Sequence, residues 1–406
     1  MDISIRPSKL SGNITAVPSQ AEAHIKLICA ALSNGTVHNV PFTQEVCCTL
    51  DALKELGSEY DFVGDSIVFR GFIPNPNPTF CCGESTKVLV YFMCLCCACR
   101  VDMNATFTGS DKLPRELISA IADVLKEHGV TCDYNGELPF TVKGSLGSGE
   151  FTVPAKYADE IVSGLLVALN RNNTDSFIAV LGSDYSKSDI ELTVDILRES
   201  KIMSACADDI YIVRGDQNYR LYDTYIGGDF SLASNFVVAN FINSNVRVSG
   251  LDAMSAQSEK VIFDILRRIQ SSGNKSFDLD CSELSNLVPI LAVYACSLKG
   301  ISYLKNVKGN GVGETVNVEL ICQMINSVGG SAKALDGGIE IVGLKELKGG
   351  VIDCCFEHRV VYAAAILSTL CTDTVIIKNA ECVTKPYASF FDDFRRVGGN
   401  AEIIVN

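Results

Sequence analysis

Eighteen cysteines give this chain many thiols, and thiols bind metals, form disulfides or act as nucleophiles. Cys94 and Cys97 have the Cys-x-x-Cys spacing of a zinc ligand pair, but no second pair or histidine follows at a suitable distance. Most thiols lie in apolar runs, such as Cys94–Cys99 and Cys354–Cys355, where free cysteine behaves as a small hydrophobe. We therefore expect structural cysteines, no bound metal and no cofactor, in a reducing cytoplasm.

Two other local patterns could support chemistry. Residues 309–313 read GNGVG, but they lack the preceding strand, the following helix and the lysine of a phosphate-binding loop, so we discount that role. His358 lies between Glu357 and Arg359, as a general acid–base residue could. We favour a structural role for His358 and keep catalysis as the alternative.

The charge and hydropathy patterns exclude several functions. The net charge is −14 and there is no run of lysine or arginine, so the chain lacks the basic surface that nucleic acids or anionic membranes require. No stretch of about eighteen apolar residues could cross a membrane, and the N-terminus contains no signal-peptide core. We therefore expect a cytoplasmic protein, and 406 residues are enough for two or three domains.

Six segments share a pattern in which an amphipathic helix is followed by glycine or a polar break. Apolar residues recur at helical spacing, as at Leu50, Leu53 and Leu56. Gly57 and Gly129 are two of the glycines that fall where a helix end favours a left-handed residue, and short alternating strands follow four of the helices. The six segments begin at Leu50, Ile121, Val194, Ile262, Ile321 and Phe390.

Six further helical stretches are apolar on nearly every face, which is typical of buried helices. They begin near Ser19, Ser85, Tyr157, Ala233, Asn286 and His358, and a β-branched strand follows each. Each repeat thus reads helix, strand, helix, strand, strand. Because six such units cannot share one core, we predict two domains of three repeats, residues 17–225 and residues 1–16 with 226–406. The first strand, ISIRP, has no partner in the first repeat and is expected to pair with the second half.

This repeat, together with eight local strings in the same order, resembles the EPSP synthase family over the whole chain. The strings are PSKLSG from Pro7, VPSQAEAH from Val17, CGES from Cys82, SKSDIELT from Ser186, GDFSLAS from Gly228, ETVN from Glu314, EHR from Glu357 and TKPYASFF from Thr384. Each string alone is weakly specific, whereas eight in order are strong. The related UDP-N-acetylglucosamine enolpyruvyl transferases share the fold, but the paired Phe390 and Phe391 favour the shikimate branch.

The resemblance implies an α/β protein of two domains, each an inside-out α/β barrel of three repeats, with a hinge and a cleft between them. It also implies a monomer that binds small molecules in that cleft. The implied activity is transfer of an enolpyruvyl group from phosphoenolpyruvate to shikimate 3-phosphate, in the shikimate pathway of aromatic amino acid biosynthesis.

The resemblance also implies roles for particular residues. Glu314 matches the catalytic glutamate, while Arg359 and Lys385 match cations that hold phosphoenolpyruvate. Paired cations suit such a ligand because they neutralise its charge and donate hydrogen bonds to it. On the shikimate side the candidates are Ser19, Ser186, Lys26 and Arg115.

Six of the eight cations expected from the resemblance are absent. The replacements are Gln20, Ile25, Val90, Glu116, Gly313 and Asn317. The acidic Asp159 and Glu160 stand where the family has uncharged polar residues, and Asn286 stands where it has an aspartate. Since both family substrates are polyanions, each lost cation weakens their binding.

Two functions therefore stay open. The first is enolpyruvyl transfer with a rearranged anion site, which the whole-chain resemblance and Arg359, Lys385 and Glu314 support. The second is a catalytically degenerate paralogue that binds a different, less anionic ligand or acts as a non-enzymatic interaction module. The lost cations support the second function. Phosphate release from phosphoenolpyruvate and shikimate 3-phosphate would separate the two.

Overall fold

The structure is a computed structural model that describes residues 1–99, 102–182, 185–207, 209–273, 275–307, 316–344 and 346–404. Contacts among these residues divide them into two compact units. One unit lies within residues 18–227, and the other comprises residues 1–17, 228–307 and 316–404. The domain bounds expected from the sequence, with a hinge and a cleft between the domains, stay a prediction.

The secondary structure begins with strands β1 (Asp2–Arg6) and β2 (Ser11–Thr15). The next elements are α1 (Gln20–Ala31), β3 (Thr36–His38), α2 (Gln44–Leu56), β4 (Ser58–Val63), β5 (Ser66–Phe72), β6 (Thr79–Cys81), α3 (Thr86–Cys97), β7 (Asn104–Thr108), α4 (Arg115–Lys126), β8 (Val130–Cys132), β9 (Phe140–Gly144), β10 (Glu150–Pro154), α5 (Ala158–Leu169), β11 (Ser176–Leu181), α6 (Ser188–Glu199), β12 (Ser204–Ala207), β13 (Ile210–Val213) and β14 (Asp223–Tyr225). The remainder comprises α7 (Phe230–Ile242), β15 (Asn245–Ser249), α8 (Ile262–Ser271), β16 (Asp278–Asp280), α9 (Val288–Cys296), β17 (Ile301–Lys305), α10 (Val318–Ser327), β18 (Ser331–Leu335), β19 (Gly338–Val342), β20 (Gly350–Asp353), α11 (His358–Leu367), β21 (Val375–Lys378), α12 (Thr384–Tyr387), α13 (Phe390–Arg396) and β22 (Asn400–Ile404).

Each repeat of the unit within residues 18–227 builds one four-stranded sheet with the same pairing scheme. The strand orders are β14-β3-β5-β4, β6-β7-β9-β8 and β10-β11-β13-β12. In each sheet the first pair is parallel and the other two pairs are antiparallel. Parallel neighbours need a long crossover, and the buried helices α3 and α5 make it between β6 and β7 and between β10 and β11.

The other unit contains two four-stranded sheets of this kind and one sheet with only two strands. Its four-stranded sheets have the orders β16-β17-β19-β18 and β20-β21-β1-β22, while β15 and β2 form a two-stranded parallel sheet. Strand β1 lies between β21 and β22 and pairs antiparallel with both. The prediction that the first strand pairs with the second half of the chain is therefore confirmed.

The stretches predicted to be buried helices form the core of each unit. Helix α9 is the extreme case, because all nine residues of VPILAVYAC are buried. Helices α3 and α5 pack together in one unit, and α9 packs against both α7 and α11 in the other. Cys94, Cys96 and Cys97 of α3 lie among these buried apolar residues, so the structural role expected for them fits their position.

The six predicted amphipathic segments lie on helices α2, α4, α6, α8, α10 and α13. Helix α2 is capped by Gly57, which has the left-handed conformation with φ 118° and ψ 17°. The Gly57 amide donates to the carbonyls of Leu53 and Lys54, so the last turn is closed as the sequence predicts.

In the described part of the chain, no helix has both the length and the apolarity needed to cross a bilayer. The longest of the described helices, α2 and α7, have 13 residues each. A membrane-spanning helix needs about 20 residues.

Candidate functional site

A small cavity of about 30 Å³ lies where the first turns of three buried helices meet in the unit that contains α7, α9 and α11. It is lined by Ser231, Leu232, Asn235, Asn286, Ile290, His358, Arg359 and Tyr362. Backbone amides at helix N-termini are not used inside the helix, and they give such a place a positive potential. The cavity has room for about two water molecules or a small polar group.

Arg359 lies beside this cavity and is held by Glu357 in a two-pronged ion pair. Its Nε donates to Oε1 of Glu357 at 2.9 Å, and its Nη2 donates to Oε2 at 3.1 Å. Burial opposes ionisation of Glu357, but the hydrogen bonds and the charge of Arg359 outweigh it and lower the pKa of this carboxyl. Glu357 therefore fixes the position of the Arg359 guanidinium and neutralises its charge.

Asn286 connects this ion pair to another carboxylate. Arg359 Nη1 donates to Oδ1 of Asn286 at 3.3 Å, and Asn286 Nδ2 donates to Oε1 of Glu259 at 2.9 Å. The resemblance places a proton-accepting aspartate at position 286. An amide has no basic oxygen that could take up a proton there, so Asn286 can orient Arg359 but cannot replace that base.

His358 begins α11, and 39% of its side chain is exposed. Partial burial lowers the pKa of His358, the charge of Glu357 raises it, and the charges of Arg359 and Lys385 lower it again. The imidazole is therefore neutral at pH 7. The role of Arg359 and the exposed Lys385 of α12 in one anion site stays a prediction.

The loop that precedes α11 has an unusual backbone. Cys355 and Phe356 are consecutive left-handed residues with φ of 46° and 62°. Both are exposed, so the expectation that Cys355 behaves as a buried hydrophobe is wrong, although Cys354 is buried. Cys355 is exposed because this turn reverses the chain between β20 and α11, and its amide donates to Oδ1 of Asp353 at 2.9 Å.

Ser19 and Ser186, predicted on the shikimate side, both lie at helix starts, but of the two only Ser19 is an N-cap. Ser19 is the N-cap of α1, and its hydroxyl accepts from the amide of Glu22 at 3.4 Å. The hydroxyl of Ser186 accepts from the amide of Ser188 at 3.3 Å, at the start of α6. Their position at helix starts is compatible with ligand binding, but hydrogen bonds from backbone amides engage both hydroxyls without a ligand.

Lys26 is a buried member of an ionic network. Its Nζ lies 3.4 Å from Oε2 of Glu22 and 3.5 Å from Oε2 of Glu199, and it donates to the carbonyl of Tyr225 at 2.9 Å. These contacts tie α1 to α6 and to β14 within one unit. The charge of Lys26 is thus matched within its own unit, and its role on the shikimate side stays a prediction.

Arg115 begins α4, is exposed and lies with Tyr134 beside a cavity of about 10 Å³, which has room for about one water molecule. Its neighbour Glu116 forms an ion pair with Lys156 and accepts from the hydroxyl of Tyr157 at 2.9 Å. Arg115 therefore adds positive charge to the surface, whereas Glu116 ties α4 to the segment that leads into α5.

A cluster of ionisable side chains that the sequence did not predict lies at the starts of buried helices in this same unit. Lys87 of α3 forms an ion pair with Asp189 of α6, and both act electrostatically on His24 of α1. The sequence signal was weak but present, because His24 and Lys87 are polar residues in largely apolar helices. Their partners lie on other helices, so spacing along the chain could not identify them.

Two sequence predictions lie outside the described residues. Glu314, the predicted catalytic residue, and the glycine-rich stretch 309–313 both fall between the described ranges 275–307 and 316–344. The proposed role of Glu314 therefore stays a prediction from the resemblance.

The sequence pattern of the family described as EPSP synthase (3-phosphoshikimate 1-carboxyvinyltransferase) matches residues 5–394. The chain belongs to the EPSP synthase family. The 3-phosphoshikimate 1-carboxyvinyltransferases of Clostridium novyi (strain NT) and Clostridium kluyveri are both 30% identical to it, with 98% of this chain and 98% of each relative covered. The family predicted from the sequence is thus confirmed.

A solved structure of EPSP synthase from Acinetobacter baumannii has the same fold. It matches this chain with a TM-score of 0.84 and covers 100% of both chains, at 16% sequence identity. The predicted fold class, the two-domain inside-out α/β barrel of the enolpyruvyl transferases, is confirmed by this similarity. At that identity the likeness concerns the fold and not the residues of the site.

Proposed function

We propose that this member of the EPSP synthase family binds a small molecule that is less anionic than shikimate 3-phosphate and does not catalyse enolpyruvyl transfer. One observation carries the proposal: four cations on or beside the buried helices are paired with carboxylates of the chain itself. The pairs are Arg359 with Glu357, Lys26 with Glu22, Lys87 with Asp189 and Lys156 with Glu116. We expect the protein to act as a cytoplasmic monomer.

Electrostatics explains why paired cations matter here. Two polyanionic substrates repel each other, and a site that binds both must supply positive charge that is not already neutralised. Each missing charge-assisted hydrogen bond weakens binding by roughly 1.5–3 kcal/mol. Several such losses together approach the whole binding free energy of roughly 8 kcal/mol that corresponds to a micromolar Kd. The replacements at Gln20, Ile25, Val90 and Glu116 add to this deficit.

A second candidate is the activity that the clostridial relatives carry in their names, 3-phosphoshikimate 1-carboxyvinyl transfer. In that reaction the 5-hydroxyl oxygen bonds to C2 of phosphoenolpyruvate and loses its proton, and the bond from C2 to the phosphate oxygen breaks to release phosphate. The match over nearly the whole chain and the retained Arg359 and Lys385, which the resemblance assigns to phosphoenolpyruvate, favour this candidate.

The deciding experiment is phosphate release by the purified full chain mixed with phosphoenolpyruvate and shikimate 3-phosphate at millimolar concentrations. We expect no release above the blank and no rise in melting temperature with either compound. The Clostridium novyi relative, assayed in the same way, is the matched positive control. Turnover by this chain at an ordinary enzymatic rate would overturn the proposal and establish the second candidate.

A further inference from the structure

One of the six repeats is shorter than the others, and the difference lies after its amphipathic helix. In four other repeats, 22 or 23 residues separate this helix from the first strand of the next repeat, and they form a two-stranded hairpin; these segments are residues 57–78, 127–149, 200–222 and 328–349. After α8, only residues 272–277 precede β16. Such a short connection has no room for two strands and the turn between them. The repeat that contains α8 therefore lacks its third and fourth strands.

The missing strands leave one edge of β15 without the neighbour that its counterparts have. In the five four-stranded sheets, the second strand of the repeat lies between a parallel first strand and an antiparallel fourth strand. The counterpart β17, for example, pairs with β16 on one side and with β19 on the other. In the described part of the chain, β15 pairs with β2 alone. Its other edge is an open position for one antiparallel strand.

Hydrogen bonds show which backbone groups of β15 face this open edge. The amide of Asn245 and the carbonyl of Ser249 are bonded, at 2.8 Å each, to residues that flank β2. Successive residues of a strand direct their backbone groups to opposite sides, so alternate residues from Asn245 to Ser249 face β2. Val246 and Val248 therefore direct their amides and carbonyls toward the open edge.

Asn240 of α7 covers half of this edge. Its Nδ2 donates to the carbonyl of Val246 at 2.7 Å, and its Oδ1 accepts from the amide of Val246 at 2.6 Å. Asn326 makes the same two bonds with Ala332 of β18, which is the edge strand of its own sheet. Side chains placed in this way protect strand edges from chance pairing. No described residue makes an equivalent pair of bonds with Val248, so that half of the edge is available.

The charges beside the open edge are positive, although the whole chain has a net charge of −14. Arg247 of β15 and Arg267 and Arg268 of α8 are exposed, and no carboxylate of the described residues forms an ion pair with them. In the five other repeats the amphipathic helix packs against the third strand, so α8 borders the place where that strand is missing. The open edge thus combines unpaired backbone groups with unneutralised cations.

We propose that the open edge of β15 binds an extended acidic segment of a partner protein, which adds to the sheet as an antiparallel strand. The backbone of the segment bonds to Val248, and to Val246 after the side chain of Asn240 is displaced. Acidic side chains of the segment pair with Arg247 across the strands. This inference concerns a second surface of the molecule and goes beyond the proposed function.

A second copy of this chain fits the edge less well than an acidic segment does. A symmetric antiparallel pair that uses the backbone groups of both Val246 and Val248 places Arg247 directly opposite Arg247 of the second copy. Like charges in that position destabilise a sheet. Charge complementarity therefore selects an acidic segment of another protein over self-association.

The probe for this site is a dye-labelled peptide with the sequence of residues 331–342, SAKALDGGIEIV, blocked at its C-terminus. It is the hairpin of β18 and β19, which fills the corresponding position beside β17. There Glu340 faces Tyr303, the middle residue of β17, and Arg247 is the middle residue of β15. We expect the full chain to bind the peptide saturably at concentrations up to about 1 mM, measured by fluorescence anisotropy.

Charge reversal tests the predicted register. Arg247→Glu should weaken binding of the peptide about tenfold, because an acid then faces Glu340. A peptide with Glu340→Arg should recover that loss with the variant. Arg214→Glu makes the same charge change at an exposed position of the other unit and should bind the peptide as the parent does.

A methylated peptide separates strand pairing from simple charge attraction. By the pairing of β19 with β17, Ile339 of the peptide lies opposite Val248, and a methyl group on its backbone nitrogen removes the donor to the carbonyl of Val248. The charge of the peptide is unchanged. We expect this peptide to bind at least about tenfold more weakly.

Four results would overturn the inference: no saturable binding of the peptide, undiminished binding by Arg247→Glu, an equal loss with Arg214→Glu, or full binding of the methylated peptide. None of these results depends on the phosphate-release assay, since the open edge is formed by β15 and not by the predicted substrate residues.

Discussion

At the scale of single residues, Arg359 shows how a helix cap fixes the position of a cation. Glu357 is the N-cap of α11, so its carboxylate folds back over the first turn and accepts from the side chain and the amide of Arg359. Inside a helix, side chains that are two residues apart do not face each other. The N-cap position of Glu357 makes this contact possible. The carboxylate therefore neutralises the charge of Arg359 before any ligand binds.

Replacing Arg359 by methionine should destabilise the protein, because Glu357 would then be partly buried without its partner. We expect the free energy of unfolding in urea near pH 7 to fall by about 2 kcal/mol. Arg359 lowers the pKa of Glu357, so the pair stabilises the fold above the ordinary carboxyl pKa and loses this effect as the pH falls through the lowered value. The double variant Arg359→Met with Glu357→Gln should recover most of the loss.

Arg70→Met is the matched control for this prediction. Arg70 Nε lies 3.0 Å from Oδ2 of Asp61, in a pair whose side chains are 59% and 62% exposed. An exposed pair contributes little, so the expected change is within about 0.5 kcal/mol. Equal losses in Arg70→Met and Arg359→Met would contradict the argument from burial.

At the scale of secondary-structure elements, glycine positions end the amphipathic helices where the sequence places them. Gly57 follows α2 in the left-handed conformation, and a Cβ at this position would lie 1.8 Å from the carbonyl oxygen of Ile73. Glycine is therefore required at position 57 for two reasons. Its φ of 118° is left-handed, and the carbonyl oxygen of Ile73 leaves no room for a Cβ. The sequence indicates the first requirement, and the second appears only in the fold.

Gly57→Ala should lower the free energy of unfolding by about 3 kcal/mol or more, since strain and overlap add. Urea denaturation measures this loss. Gly64→Ala is the control, because Gly64 also has a left-handed φ, of 65°, but no described atom lies within 4 Å of the added Cβ. This control should lose only about 1 kcal/mol, from strain alone. If the two variants were equally stable, the close contact at Gly57 would have no energetic role.

At the scale of the whole molecule, the N-terminal strand joins a core built from the second half of the chain. Ile3 and Ile5 of β1 are fully buried, and Ile3 faces Ile377 of β21 and Ile403 of β22. The apolar core of this unit is made of residues from its own three segments. Pairing β1 with β21 and β22 brings the two ends of the chain together. Closing this loop costs conformational entropy, but the cost grows slowly with loop length.

The double variant Ile3→Ala with Ile5→Ala should loosen this sheet selectively. Each truncation costs roughly 2–5 kcal/mol in a packed core. Hydrogen exchange should show lost protection for the amides of β21 and β22, while β11 of the other unit keeps its protection. Ile67→Ala, at a fully buried position of β5, is the control and should show the reverse pattern. Loss of protection throughout the chain in both variants would contradict separate cores.

The sequence by itself determined the order and type of the elements, the family and the fold class. Helical and strand periods, capping residues and left-handed glycines are local properties, so spacing along the chain is enough to recognise them. The same local patterns predicted that Ser19 and Arg359 lie at helix starts.

Only the tertiary structure decided which charges are matched. Lys87 and Asp189 are 102 residues apart in the sequence, and Lys26 meets Glu199 and Tyr225 only because α1, α6 and β14 lie together. Electrostatic energy depends on distance in space and on burial, and neither follows from spacing along the chain. For this reason the sequence could count the missing cations, whereas the pairing of Lys26 with Glu22 and Glu199 required the fold.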